Sequence, residues 1–473
     1  MLKKSIVVAP FVGLLLWFCT DAALAQLFAT KVDYATGNGA YCVYCADLDG
    51  DLNPDLAVAN YTGNTVSILI NNGDGTFKTK VDYTVGALPT SVFCADLDGD
   101  DYLDLATANV NGNSVSILKN NGDGTFAAKV DYATGTTPRS VFCADLDGDT
   151  DKDLAVANSG ANTVSILKNN GDGTFTAAVN YATANAPRAV SCADLDGDTD
   201  LDVVTANSAG NNVSVLKNNG DGTFAAKTDY AASTGARGIF CADLDGDTDQ
   251  DIAVANYGAS TVGIFLNSGD GTFAAMAAYS MGAGAAPPSV FCAELDGNAG
   301  LDVAAANYSG SSVSVFKNNG NGTFQAKEDY TAGSGAMSVF GAYLDADAKI
   351  DLAVANQNGN SVSIMLTGPL AVEDEHGAPS AKIFSLRQNH PNPFNPTCHI
   401  DYMLPKGAQV TLGVYNVLGQ QVKILVDEYQ SAGYKSVAWD GKNDQGQECV
   451  SGIYLYKLRA GQFMDARKMV LVK

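Results

Sequence analysis

The stretch from Ser140 to Ala157 reads SVFCADLDGDTDKDLAVA, and close copies of it recur along most of the chain. The copies are spaced about 50 residues apart, a period typical of propeller blades or solenoid coils. Their acidic segments begin, in chain order, at Asp47, Asp96, Asp145, Asp194, Asp243, Glu294 and Tyr343. The chain therefore consists mainly of one unit that returns seven times.

The third copy shows what each unit contains. Two short apolar runs, Ser140–Ala144 and Leu154–Ala157, flank an acidic loop, and a third run covers Thr163–Lys168. Asn169–Gly173 then has the Asn-Gly and Asp-Gly pairs of a tight hairpin turn, and Thr174–Tyr181 follows as a fourth run. Four strands per repeat predict one blade of a β-propeller.

The two ends of the repeat region indicate a closed ring. The seventh copy stops after its third run, at Ser361–Thr367, whereas Phe28–Tyr34 matches the fourth run of the second copy, Phe126–Tyr132. An N-terminal strand that completes the last blade removes the exposed sheet edges of an open array. We therefore predict an all-β fold in which residues 26–368 form a seven-bladed β-propeller.

The first five acidic loops share the pattern Asp-x-Asp-Gly-Asp-x-x-x-Asp. Their acids, at loop positions 1, 3, 5 and 9, are Asp47, Asp49, Asp51 and Asp55; Asp96, Asp98, Asp100 and Asp104; Asp145, Asp147, Asp149 and Asp153; Asp194, Asp196, Asp198 and Asp202; and Asp243, Asp245, Asp247 and Asp251. A solvated turn with no metal is the alternative, but four carboxylates within nine residues repel one another unless a cation lies among them. Calcium accepts about 6 to 8 oxygen ligands at flexible angles, so it is the expected ion. An EF-hand is excluded, because the glycine falls at position 4 and Val58 stands at position 12 of the first loop.

The last two loops depart from the pattern. The sixth has Glu294, Asp296, Asn298 and Asp302, which keeps four oxygen ligands with one charge fewer. The seventh has Tyr343 at position 1 and Ala346 instead of glycine, and it retains Asp345, Asp347 and Asp351. We expect five strong calcium sites and one or two weaker ones.

These loops resemble the FG-GAP or VCBS repeat of integrin α-subunit propellers and many bacterial surface proteins. The resemblance covers roughly residues 28–367 and rests on the five intact loops. It implies extracellular adhesion or ligand recognition, with calcium loops that serve structure more often than catalysis. It does not identify a ligand.

The first 25 residues have the features of a signal peptide. Lys3 and Lys4 precede an apolar run over residues 5–18, and Ala-Leu-Ala ends at Ala25. Cys19 admits a lipoprotein signal, but the bulky Trp17 and its neighbour favour simple cleavage after Ala25. No other stretch approaches the roughly 18 apolar residues needed to span a bilayer, so we predict a secreted or cell-surface monomer with no membrane span.

The formal net charge of -24 comes largely from Asp residues in clusters with fixed spacing. Nucleic acids and anionic membranes require a basic surface. The charge distribution therefore argues against both as partners and favours bound cations.

A different pattern begins after Gly368. Residues 369–382 read as an exposed linker, and residues 383–473 contain six short alternating runs that predict a small Ig-like β-sandwich. The runs are Cys398–Met403, Gln409–Asn416, Gln421–Val426, Tyr434–Trp439, Gly452–Leu458 and Ala466–Val472.

Several motifs of this module resemble the C-terminal sorting domain of type IX secretion substrates. They are Gln388–Pro396, Tyr415-Asn416, Gly419, Trp439–Gly441, Ser451–Tyr454 and Lys468–Leu471. The resemblance implies export across the outer membrane of a Gram-negative bacterium by its secretion machinery. The alternative is an ordinary Ig-like accessory domain.

Six of the ten cysteines occupy one position of the repeat. They are Cys45, Cys94, Cys143, Cys192, Cys241 and Cys292, with Gly341 in the seventh copy. The Cα atoms at equivalent positions of neighbouring blades should lie farther apart than the roughly 7 Å that a disulfide allows. We therefore expect these six cysteines to be buried thiols. Only Cys398 and Cys449 are candidates for a disulfide.

The composition of the repeats argues against an enzyme. The propeller has no His, and most of its acids occupy columns that recur from copy to copy, as structural residues do. We predict a non-catalytic module that recognises an extracellular glycan or protein. The alternative is a polysaccharide-active lyase or hydrolase, or its accessory subunit, since FG-GAP propellers accompany some of these enzymes.

Ligand contacts are expected in columns that vary between copies. The position before the first run is Arg139, Arg188 and Arg237 in three consecutive copies, which predicts a basic arc for an anionic ligand such as an acidic glycan. The alternative is that each Arg pairs with a nearby acidic loop. A second variable column contains Tyr61, Tyr257 and other residues. Its tyrosines are candidates for stacking on a sugar, and the alternative is that they are ordinary loop residues without a binding role.

Overall fold

The computed structural model describes residues 27–368 except 299 and 348, and then residues 385–386, 389, 394, 397–404, 407–416, 420–431, 433–461 and 463–472. The predicted signal peptide and linker lie outside these ranges. All regular structure in these ranges is β-strand. They contain no helix long and apolar enough to cross a membrane.

The repeats fold into seven antiparallel sheets of four strands each, as predicted. Blade one consists of β2–β5, blades two to six take the next four strands in turn, and blade seven combines β26–β28 with β1. The strands are β1 (Val32–Ala35), β2 (Ala40–Ala46), β3 (Asp55–Asn60), β4 (Thr65–Leu69), β5 (Val81–Thr84), β6 (Pro89–Ala95), β7 (Asp104–Asn109), β8 (Ser114–Leu118), β9 (Val130–Ala133), β10 (Pro138–Ala144), β11 (Asp153–Asn158), β12 (Thr163–Leu167), β13 (Val179–Ala182), β14 (Pro187–Ala193), β15 (Asp202–Asn207), β16 (Asn212–Leu216), β17 (Thr228–Ala231), β18 (Ala236–Ala242), β19 (Asp251–Asn256), β20 (Thr261–Phe265), β21 (Ala277–Ser280), β22 (Val290–Ala293), β23 (Asp302–Asn307), β24 (Ser312–Phe316), β25 (Glu328–Thr331), β26 (Ala336–Ala342), β27 (Asp351–Asn356) and β28 (Ser361–Met365).

The second strand of each blade is buried on both faces. In β3 all six residues of the sequence DLAVAN are buried, because the strand is covered by a neighbouring blade on each side. Its alanines are small enough to let adjacent sheets approach. Ala57 of blade one and Leu105 of blade two belong to one buried cluster, so the core consists of layers between blades.

The ring closes as the sequence predicts. β1 pairs with β28, with Asp33 opposite Ser363, and the Ser363 hydroxyl donates a hydrogen bond of 2.6 Å to Asp33 Oδ1. The same bond joins Ser67 to Asp82 within blade one. The N-terminal strand therefore forms the contacts that the fourth strand forms in an unbroken blade.

Aromatic pairs connect consecutive blades at the outer side of the ring. Tyr83 of blade one lies edge-on to Phe126 of blade two at 5.3 Å between ring centres. Tyr34, on the closing strand, contacts Phe77 of blade one in the same way at 5.2 Å. Burial of such rings contributes to the apolar interface between blades.

The C-terminal module contains two sheets of an Ig-like sandwich. One has the order β29-β30-β33 and the other β32-β31-β34-β35. The strands are β29 (Ser385–Leu386), β30 (Cys398–Leu404), β31 (Ala408–Asn416), β32 (Gln421–Gln430), β33 (Gly433–Trp439), β34 (Gly452–Ala460) and β35 (Phe463–Leu471). All six predicted runs are strands, and Trp439 lies fully buried between Phe394 and Tyr454.

The cysteines of the repeat are thiols, as expected. Five are buried and Cys241 is half-buried. Cys398 is also a buried free thiol, so the structure has no Cys398–Cys449 disulfide. Burial raises the pKa of Cys398 to about 11, which makes it a poor nucleophile at neutral pH.

Candidate metal loops and the central channel

The two ends of the propeller differ in charge. Each acidic loop connects the end of a first strand to a second strand, and the Asn-Gly-Asp-Gly hairpins lie at the same end, which we call the acidic face. The opposite end carries the connections between second and third strands and between blades. These connections contain no Asp, Glu or Lys, and three of the first strands that follow them carry Arg139, Arg188 and Arg237 at their second residue. We call this end the arginine face.

The position-1 carboxylate shapes the acidic loop. In blade one, Asp47 Oδ1 accepts the Gly50 N–H at 2.8 Å and Oδ2 accepts the Leu52 N–H at 2.8 Å. Leu52 has φ of 71° although leucine avoids the left-handed region. The corresponding residues of the next four loops, including Thr150, also have positive φ. A strained backbone that recurs at one loop position is typical of a functional loop.

The position-9 carboxylate is buried in all seven blades, at most 1% exposed. In blade three, Asp153 Oδ2 accepts the Leu146 N–H at 3.1 Å and Oδ1 accepts the Asn169 N–H at 2.8 Å. Burial raises the pKa of Asp153 to about 6, and those of Asp55 and Asp351 to about 7. This Asp connects the acidic loop to the hairpin, a role that sequence reasoning missed when it assigned the residue to metal alone.

The position-3 carboxylate has one oxygen that lacks a partner in several blades. Its Oδ1 is buried without a hydrogen bond in four blades, at Asp49, Asp98, Asp147 and Asp196. A buried carboxylate oxygen with no donor costs free energy unless a cation or proton satisfies it. The other oxygen of Asp98 pairs with Lys119 Nζ at 3.0 Å, so the unpartnered oxygen remains available to a metal ion.

Carboxylate oxygens in five loops lie within 4.8 Å of one another, close enough to hold a metal ion. Four of the groups combine loop positions 1, 3 and 9, and the group of blade four combines positions 1, 3 and 5. In chain order, the groups are Asp47, Asp49 and Asp55; Asp96, Asp98 and Asp104; Asp145, Asp147 and Asp153; Asp194, Asp196 and Asp198; and Asp243, Asp245 and Asp251. This all-oxygen donor set suits a hard cation such as Ca²⁺. The remaining position-5 acids, Asp51, Asp100, Asp149 and Asp247, lie on the exposed part of the loops.

The sixth and seventh loops differ in their internal bonds. In the sixth, Asn298 Nδ2 donates to Asp296 Oδ2 at 2.9 Å, so an amide donor occupies one of the carboxylate oxygens. In the seventh, Tyr343 is 55% exposed, and Asp351 accepts N–H bonds from Leu344 and Thr367 as its equivalents do. The seventh blade therefore keeps the structural Asp without the position-1 carboxylate.

An asparagine column connects six of the seven acidic loops to the next blade, and blade seven has Thr367 at this position. Asn120 Nδ2 of blade two donates to Leu48 O of blade one at 2.9 Å and to Leu103 O of its own blade at 3.0 Å. Lys119 likewise joins Asp98 to the carbonyl of Asp172 in blade three, at 2.6 Å. The acidic loops thus lie at the contacts between blades, and an ion bound in a loop would stabilise the ring.

The first strands line a central channel that encloses a cavity of about 200 Å³. Its middle is narrowed by an aromatic belt of Tyr44, Phe93, Phe142, Phe240, Phe291 and Phe340, whose contacting neighbours have ring centres 4.5–5.1 Å apart. Blade four has Ser191 at this position, which leaves a gap in the belt. The lining includes no Asp, Glu, His or Lys.

The three predicted Arg residues meet at the mouth of this channel on the arginine face. Arg237 Nη2 donates to the Tyr41 hydroxyl at 2.7 Å, across the mouth, and its guanidinium lies 4.5 Å from the centre of the Tyr257 ring. The Nε atoms of Arg139 and Arg188 are buried without a partner. The acidic loops lie at the other end, and in the described part of the chain none of the three forms an ion pair, so the alternative of pairing with those loops is wrong.

Together, the fold and the loops define a seven-bladed propeller whose blades carry acidic groups suited to a metal ion. The sequence matches the family of FG-GAP-like repeats in six overlapping segments, residues 47–107, 96–156, 145–205, 194–254, 243–305 and 295–354. These cover more than half of the chain, which belongs to this family. The FlgD Ig-like domain matches residues 396–462.

Solved structures agree on the fold. BBS1N, crystallised in complex with ARL6DN, is 12% identical over 73% of this chain and 98% of that chain, with a TM-score of 0.53. Virginiamycin B lyase from Staphylococcus aureus is 11% identical over 72% and 99%, with a TM-score of 0.52. At these identities the likeness concerns the fold alone. No curated protein matches the chain.

Proposed function

We propose that this protein is a secreted or cell-surface calcium-binding propeller that recognises an extracellular glycan or protein without catalysing a reaction. The buried, unpartnered Oδ1 atoms of the position-3 carboxylates carry the calcium part of the proposal. They lie beside the other loop carboxylates, and a bound Ca²⁺ would supply the positive charge that these oxygens lack. The loop residues would hold the ion, and the asparagine column would transmit its stabilising effect to the next blade.

Calcium titration tests this part. The purified protein is unfolded by heat with excess calcium and with chelator, because a ligand that binds only the folded state stabilises it by mass action, about 2.7 kcal/mol per site at 100 times Kd. We expect a large rise in Tm with calcium and about five sites by calorimetry. Asp98→Asn should remove one site. Asp123→Asn, in an exposed hairpin where the carboxylate accepts from Thr125, is the matched control and should remove none. An equal Tm in calcium and chelator would contradict calcium binding.

The composition of the channel supports a recognition role without catalysis. Its described lining offers no carboxylate or imidazole for proton transfer. Cys42 lines it, but burial raises the pKa of its thiol. Incubation with a panel of polysaccharides tests the alternative, since the appearance of new chain ends would establish a lyase or hydrolase.

We further propose that the Ig-like module acts as the type IX sorting domain. The order and spacing of its motifs support this role, and Phe394 and Trp439 of those motifs pack in its core. Expression in a Gram-negative host with that secretion system tests it. The full chain should reach the cell surface or medium, whereas a chain that ends at residue 382 should remain in the periplasm. Equal export of both would contradict the proposal.

A further inference from the structure

We propose that the mouth of the channel on the arginine face binds the acidic group of an anionic saccharide, with the carboxylate or sulfate on Arg139 and Arg188 and the sugar against the surrounding tyrosines. The proposal rests on the recognition role proposed above and names the place and the ligand chemistry. It differs from the metal loops in face, charge and partner.

The unsatisfied donors are the first argument. Arg139 and Arg188 side chains form no hydrogen bond to any described residue, and their Nε atoms are buried. A guanidinium has five N–H donors in a planar fork that matches the two oxygens of a carboxylate or sulfate. Leaving the two Nε donors buried and unpaired is costly, so these residues are better explained by anion binding than by the stability of the ring.

Charge is the second argument. Three cations from consecutive blades meet at one opening, with no acid in the connections around them. Burial, together with the charges of Arg237 and Arg139, lowers the pKa of the Arg188 guanidinium. Because the acids of the chain are concentrated at the other end, the arginine face should attract anions although the protein as a whole carries a charge of -24.

The aromatic rim favours a saccharide over a bare inorganic ion. A second cavity of about 240 Å³ lies over the arginines and is lined by Tyr41, Tyr61, Tyr257, Tyr308, Met337 and Gln357 together with Arg139 and Arg237. Tyrosines offer flat apolar faces with a hydrogen-bonding hydroxyl at the tip. Such a rim suits a ring that has one apolar face and many hydroxyl groups.

The gap in the aromatic belt indicates how deep the ligand reaches. Ser191 lies three residues after Arg188 on β14, where five blades have Phe and one has Tyr. Both residues line the same cavity. The missing ring therefore leaves room beside the central arginine, and the acidic group should enter the channel on the side of blade four.

Binding of defined oligosaccharides to the purified protein tests the proposal by calorimetry. The probes are oligogalacturonate for the carboxylate arm, a sulfated oligosaccharide of similar length for the sulfate arm, a neutral maltooligosaccharide and an oligoglutamate peptide. We expect at least one acidic sugar to bind, at least tenfold more weakly to Arg188→Gln and to Ser191→Phe, and more weakly at high salt. Ser191→Phe supplies the residue that most other blades have, so its fold should be intact.

Stability gives a second readout that a structural role for Arg188 would not produce. Removing one of three clustered cations that form no ion pair should leave the Tm of the ligand-free protein unchanged or higher, as at other sites that trade stability for function. A clear fall in Tm for Arg188→Gln would overturn the proposal. So would the failure of both acidic sugars to bind, or binding that the two variants do not weaken.

Other outcomes separate this proposal from the proposed recognition function. Binding of the neutral sugar with unchanged affinity in Arg188→Gln would overturn the anion site while supporting recognition. Preferential binding of oligoglutamate would replace the saccharide with an acidic peptide. If none of the four probes binds and calcium still raises the Tm, the anionic-saccharide site fails and the calcium part of the proposed function stands.

Discussion

The Asn71 side-chain amide donates a hydrogen bond of 2.9 Å to the backbone carbonyl of Leu344. The two residues belong to blades one and seven. The bond is the counterpart of the one from Asn169 to Leu97, between blades three and two, at 2.8 Å. The interface that closes the ring therefore uses the same contact as an interface between consecutive repeats.

This equivalence predicts that Asn71→Ala and Asn169→Ala destabilise the protein by similar amounts. Each change leaves two backbone carbonyls without their amide donor, a loss of about 1–3 kcal/mol for each group left buried and unpaired. Denaturant unfolding measures both. A normal stability for Asn71→Ala beside a weakened Asn169→Ala would show that the ring is open at blade seven.

Removal of residues 27–36 should weaken the ring more severely. The deletion takes away β1 and Phe28, which is 1% exposed and lies edge-on to Tyr330 at 5.0 Å. It also leaves the edge of β28 unpaired, which favours association with other chains. We expect a lower Tm and aggregation by size-exclusion chromatography, with partial rescue by a synthetic peptide of residues 27–36. A monomer with unchanged Tm would contradict this.

Asp351→Asn should destabilise the seventh blade as much as Asp153→Asn destabilises the third, in chelator. Each carboxylate accepts backbone N–H groups on both of its oxygens, and an amide can accept on only one side while its own donor faces the other. We expect a loss of about 1–3 kcal/mol in both. If neither variant is destabilised in chelator, the Asp serves the metal site and not the backbone.

Gly341→Cys should destabilise the protein although it restores the residue of the other six repeats. A Cβ at this position would lie 2.5 Å from Phe291 Cε1 and 2.7 Å from Ile350 Cγ2. Overpacking of this kind costs about 1–3 kcal/mol. Thermal unfolding measures the loss, with Cys143→Ala as a control that shortens a side chain at the same repeat position. A higher Tm for Gly341→Cys would refute the prediction.

The pH dependence of stability in chelator follows from the position-9 acids. Their folded pKa values of about 6 or 7, such as that of Asp104 at about 7, exceed the roughly 4 of an unfolded Asp. Between these pKa values the folded chain binds more protons than the unfolded chain. The stabilisation by these protons is complete below about pH 4 and is lost as pH rises through 7. The Tm in chelator should fall between pH 5 and 8, and the extra stability due to calcium should grow. A Tm in chelator that rises over this range would contradict the assignment.

Much of the fold could be predicted because the repeat carries its own information. The hairpin Asn169–Gly173, the acidic loop and the alternation of apolar residues are local signals, and their period reveals the blade. The partnership of Asp33 with Ser363 could also be predicted, since Phe28–Tyr34 copies a known strand. The acids of the loops could be found, but their separate roles could not. Whether a carboxylate oxygen faces a backbone N–H or nothing depends on the packing of the loop against the next blade.

The sequence by itself determined the blade, the number of blades, the strand that closes the ring and the residues of the acidic loops, because these depend on local patterns and on their repetition. Only the tertiary structure decided that the predicted arc of Arg139, Arg188 and Arg237 lies at the mouth of the channel, that the acidic loops lie at the opposite end and that Ser191 leaves a gap beside Arg188. Consecutive arginines of this arc are 49 positions apart in the chain. These relationships arise from the closing of the ring, which brings the first strands together around one axis.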